Sequence, residues 1–149
     1  MKKTRILITG LLFIAFSLFT FNAFANGPLE EWEHTFPDAS KALGKWAKKH
    51  KEAATYIFSW DGDHPDRSQE LVNWSIDHPT ESLHKFHKQH KDWPELDEIE
   101  STHKAAFEDF LDWCRNNADA AKDLMSHPGA LHWASEHICK DYKDMEKLK

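Results

Sequence analysis

The chain has 149 residues, with 25 Asp or Glu against 19 Lys or Arg and a net charge of −6. That length suits one domain of ordinary size, and the acidic balance argues against nucleic acid or an anionic membrane as partner. Only 5 Gly and 6 Pro exclude collagen-like and linker-like architectures, and 40% apolar with 13% aromatic residues is too much for a disordered acidic chain.

The first 25 residues read as an export signal. Lys2, Lys3 and Arg5 form a basic start, residues 6–21 are apolar, and Ala23-Phe24-Ala25 supplies the small-x-small cleavage pattern. The apolar stretch is shorter than the ~20 residues a membrane span needs. Cleavage after Ala25 leaves residues 26–149 as one helical domain, and losing the three basic residues takes the net charge from −6 to −9. Cys114 is the first cysteine, so no lipid anchor is expected. The expected location is the periplasm or the medium outside a bacterial cell.

Beyond the leader, Trp32, Trp46, Trp60 and Trp74 recur every 14 residues. Leu29, Leu43, Ile57 and Leu71 stand three residues before them, and Phe36, His50, His64 and His78 four residues after. Pro37, Lys51, Pro65 and Pro79 come next. The pattern continues with drift through Leu83/Phe86/His90, Leu96/Ile99/His103, Phe110/Trp113/Asn117 and Ala130/Trp133/His137. Spacings of three, four and seven place these side chains on one helix face, so the fold is expected to be all-α. Proline interrupts any continuous rod, while a helix can run on where Lys replaces Pro. In chain order this predicts a short helix near 28–35, then helices at about 38–62, 65–77, 79–91, 95–125 and 128–147. The architecture expected is an irregular helical bundle or a short α-solenoid of ~14-residue Trp/His units.

Two of these segments carry the only cysteines. The Ser126-His127-Pro128-Gly129 break lies midway between Cys114 and Cys139. If helices 95–125 and 128–147 folded back on each other there, the two thiols would meet as a disulfide, which an oxidising compartment favours.

The 11 histidines admit three roles. An imidazole four residues after an indole, at a helix C-terminus, gains from both the ring face and the macrodipole. Such stacked rings also offer a pH-sensitive element. Alternatively His84, His87 and His90, spaced by three, converge on a Zn, Cu or Ni ion, or a Trp-lined bundle holds haem. No cofactor is required by the first role.

Other chemistry is not encoded in a recognisable pattern. Asp61-Gly62-Asp63-His64-Pro65-Asp66 lacks the glycine and the bidentate Glu of a calcium loop and reads as a solvated connector. Glu95, Asp97, Glu98 and Glu100 read as a solvated face. No nucleophile–base arrangement can be named. The expected function is therefore an exported binding protein without catalytic activity. It would engage a protein or peptide through a Trp/His-rich surface of Trp46, His50, Trp60, His64, Trp74, His78, Phe86 and His90, with self-association as a further possibility. A periplasmic metal- or haem-binding protein is the alternative.

Overall fold

A computed structural model describes residues 28–137. The leader, Cys139 and the end of the last expected helix lie outside the described residues, as do the side chains of Trp133 and His137. Among the described residues there are nine helices and no strand: α1 (Pro28–Thr35), α2 (Pro37–Lys49), α3 (Lys51–Asp63), α4 (Pro65–Asp77), α5 (Leu83–Gln89), α6 (Glu95–Thr102), α7 (Lys104–Asn116), α8 (Ala118–Met125) and α9 (Ala130–His137).

Helices α2, α3, α4 and α7 each contain 13 residues. Single residues separate several neighbours: Phe36, His50, His64, His103 and Asn117. Four of these joints share one backbone geometry, φ/ψ of −126/61° at Phe36, −126/58° at His50, −136/65° at His64 and −128/47° at Asn117. Each joint amide donates to the carbonyl four residues back, and each joint carbonyl accepts from four residues on. One residue thus turns the chain while ending one hydrogen-bond ladder and beginning the next. The residue after the joint has no helical acceptor for its N–H, which suits the missing donor of proline.

The one-residue joints correct two expectations. The helix expected over 38–62 breaks at His50 although Lys51 follows, and the one expected over 95–125 is three helices, broken at His103 and Asn117. Proline excludes the helical conformation from the residue before it, but these breaks lack a proline. Tertiary packing makes them. The segment 79–91 is also shorter than expected, with only Leu83–Gln89 helical.

That packing follows from three indoles. Trp32 Nε1–H donates to the Ala120 carbonyl at 2.8 Å, and Trp113 Nε1–H donates to the Ala39 carbonyl at 3.1 Å. The two bonds are reciprocal, each running from four residues before one joint to three residues after the other. They set joint 36 beside joint 117. Trp46 Nε1–H donates to the Ala106 carbonyl at 2.9 Å and sets joint 50 beside joint 103 in the same way. The chain therefore runs out through α1–α4 and returns antiparallel through α5–α8, and α9 rests against α3. Contacts between helices far apart in sequence, α1 with α8 and α2 with α7, make this a bundle; a solenoid packs each unit on its chain neighbours.

Leu29, Leu43, Ile57, Leu71, Leu83, Leu96 and Phe110 all point into the core, together with Trp32, Trp46, Trp60, Trp93 and Trp113. Cys114 is buried among them with a free thiol, which burial pushes up so that it stays protonated. Its helix α7 is separated from the Ser126–Gly129 turn by the joint at Asn117 and by α8. The antiparallel helix pair on which the disulfide expectation stood is therefore not formed.

The joints also predict a stabilising substitution. Ala118 follows Asn117 as Pro37 follows Phe36, across an open groove of about 360 Å³. Ala118→Pro is expected to raise stability by about 0.4–1 kcal/mol, mainly by restricting the unfolded chain. Urea denaturation measures it; a loss of stability would show that the two joints are not equivalent.

Candidate functional site

The expected Trp/His surface divides in two once folded. Trp46, Trp60 and Phe86 are buried, so the aromatic half of that surface is core and not face. The histidines, placed at joints, emerge where helices meet. His50 is half-buried with Nε2 3.0 Å from Asp109 Oδ2 on α7. His64 Nε2 lies 3.0 Å from Glu95 Oε1, and Arg67 grips both oxygens of Glu95 at 2.7 and 2.8 Å. His90 Nε2 lies 2.9 Å from Glu70 Oε1 on α4. Tyr56 and His103 meet ring to ring at 5.3 Å.

A geometric rule runs through these contacts. His50 reaches Asp109, six residues past the opposing joint His103, and His103 reaches Tyr56, six residues past His50. His90 reaches Glu70, six past His64. The imidazoles are thus cross-braces between the outgoing and returning halves of the bundle.

Stacking on the preceding ring is the other role. Trp74 and His78 stack at 5.1 Å and 22°, and Phe86 and His90 at 4.0 Å and 22°. Trp46 and His50 are tilted at 6.0 Å and 42°. His64 does not follow the expected pairing with Trp60 and turns to Glu95 instead. The buried Trp60 Nε1–H has no hydrogen-bond acceptor.

The three histidines expected to share a metal do not converge. The Nδ1–H groups of His84 and His87 donate to the two oxygens of Glu100, whereas His90 points away to Glu70. Among the described residues no group of three or more His, Cys, Asp or Glu side chains is placed to hold a metal ion. The i, i+3 spacing put His84 and His87 on one side of α5. Their shared carboxylate comes from α6, which no spacing within α5 could indicate.

Two acids were misread as solvated. Glu100 is largely covered, and hydrogen bonds from His87 first, then His84, hold its carboxyl below the usual 4.5 against the opposing effect of burial. A lowered folded value adds stability above the ordinary carboxylate range and loses it as pH falls through the folded value. Glu100→Gln is therefore expected to flatten the acid side of the melting-temperature profile; an unchanged profile below about pH 4.5 would count against the clamp. Asp61, read as part of a connector, is 1% exposed. Its Oδ2 accepts the Leu131 and His132 amides at 2.9 and 3.2 Å, and Ser68 Oγ–H donates to Oδ1.

Trp74 differs from the other indoles. Among tryptophans whose side chains are described, it alone is half-buried, with exposed His78 stacked on it and exposed Pro79 and Thr80 following. Ile76 is half-buried nearby in the sequence. Comparison with protein-family models, with curated proteins and with solved structures finds no match.

Proposed function

We propose that this chain is an exported helical protein without catalytic activity, which binds a protein or peptide partner through the Trp74–His78 face. The accessible indole at Trp74 carries the reading, since every other described tryptophan side chain is spent on the core. A rigid ring with a polar edge gives much contact area at little entropic cost, which is why Trp is favoured at interfaces. The neighbouring Ile76 and Pro79 add apolar surface. The basic-then-apolar leader with Ala23-Phe24-Ala25 supports export. The protonated, buried Cys114 is unsuited to nucleophilic chemistry. The described imidazoles brace carboxylates rather than activate a hydroxyl or thiol.

A photo-reactive residue placed at position 78 in the full chain tests this in exporting cells. The expected result is a discrete crosslinked protein that is absent when the same residue replaces exposed Lys45 and absent when Trp74→Ala is added. No crosslink at position 78, or equal yield at both positions, would overturn the reading.

A further inference from the structure

Helix α5 is short and buries only Leu83 and Phe86, so apolar contact alone anchors it weakly. Its histidines supply most of the remaining grip. His87 faces carboxylates with both ring nitrogens: Nδ1 meets Glu100 Oε2, and Nε2 lies 2.9 Å from Asp97 Oδ1. His90 also faces two acceptors, with Nδ1 2.9 Å from the Phe86 carbonyl and Nε2 2.9 Å from Glu70 Oε1. A neutral imidazole has one N–H and one lone pair, so it satisfies only one acceptor; the imidazolium satisfies two.

We propose that α5 is an acid-tightened strap, fastened to α4 and α6 when His87 and His90 are doubly protonated and loosened when each loses one N–H. The charged groups around it fit that behaviour. Glu70 comes from α4, Asp97 and Glu100 from α6, and Glu108 from α7 accepts the Leu83 amide at 2.9 Å. Arg67 is engaged with Glu95, Lys85 with Glu81, and Lys88 and Lys91 are exposed. With His84, the three imidazoles oppose Glu70, Asp97 and Glu100; in neutral form they leave those three carboxylates without their facing cations. A lone pair then points at an oxygen on each doubly engaged ring. Because folding of the strap takes up protons, it tightens as pH falls through the imidazole range. Loosening uncovers Phe86, which packs on Trp74 at 5.1 Å and on Trp93 at 5.7 Å. The inference is independent of the partner reading, since it concerns the strap's own opening.

Hydrogen exchange of the full chain, read on peptides spanning 83–90 and corrected for intrinsic rate, tests it at about pH 5.5 and about pH 8. Protection of α5 is expected to be about tenfold greater at the lower pH, the effect of one charge-assisted bond or more, while α7 changes little. Equal corrected protection at the two pH values overturns the proposal. His87→Asn with His90→Asn is expected to abolish the difference, and a double variant that keeps it overturns the proposal as well. Should that variant lose α5 altogether, Asp97→Asn decides. Asp97 is 75% exposed, so its loss leaves the helix in place, and an undiminished pH response would refute the strap.

Discussion

Trp46→Ala is expected to destabilise the protein by about 3–5 kcal/mol, the range for deleting a buried aromatic side chain. Three losses act together at this position. The indole is 7% exposed and packs on Phe110 at 5.1 Å and edge-on to Phe58 at 6.4 Å. Its Nε1–H is the bond that sets α2 against α7. It also sits at the end of α2, where the His50 amide closes the helix on the Trp46 carbonyl. With whole-domain stability of about 5–15 kcal/mol, such a loss takes up much of the total. Trp46→Phe separates the parts, keeping a ring while removing the N–H, and is expected to cost about 1–2 kcal/mol. Urea denaturation of the two variants measures both. A cost below about 1 kcal/mol for Trp46→Ala would mean that the α2–α7 contact does not depend on this ring.

The second large effect is expected at Asp61. Helix α9 begins at Ala130, directly after Gly129, whose φ of 75° suits glycine and which has no side chain to offer as a cap. Asp61 supplies that cap from α3, accepting the amides of Leu131 and His132. Gly62 allows the approach, because a Cβ there would lie 3.3 Å from the His132 ring. Asp61→Ala leaves two amides and the Ser68 hydroxyl without this acceptor, and is expected to cost about 2–4 kcal/mol. Asp61→Asn keeps a carbonyl oxygen for the amides and should cost less.

The pH dependence at Asp61 has the opposite sign to that at Glu100. Burial pushes the Asp61 carboxyl above its usual 3.8, against the lowering effect of Ser68 and the two amides. A raised folded value contributes stability that is full below the ordinary value and is lost as pH rises through the folded one. Asp61→Asn is therefore expected to lose less stability near pH 7 than at acid pH. Melting curves of the variant and the wild type across that range check the sign. A difference that is constant with pH would show that the carboxyl is not held in a desolvated site.

How much of this was legible in the chain depends on the distance over which each feature is decided. The three-four-seven spacing of Leu43, Trp46 and His50 is a statement about one helix turn after the next, so an all-α bundle with these apolar positions inside could be read directly. Proline at 37 and 65 marks helix starts for a reason internal to the residue, its missing N–H. The joints at His50, His103 and Asn117 carry no such mark. They bend because Trp46 and Trp113 must reach carbonyls on another helix. The acids that hold the histidines were equally hidden: Glu100 belongs with His84 and His87 only once α6 lies beside α5.

The surface reading failed for a related reason. Amphipathic spacing shows that a ring lies on the apolar face of its helix, yet leaves open whether a partner molecule or the rest of the chain covers that face. Local periodicity, export pattern and charge balance belonged to the sequence alone, because each rests on residues within a few turns of one another. Which joints face each other, which indole stays half-open at Trp74, and which carboxylates meet which imidazoles were decided by the tertiary structure. Those groups come from helices up to 88 residues apart, and contacts across such distances leave no periodic trace in the order of the residues.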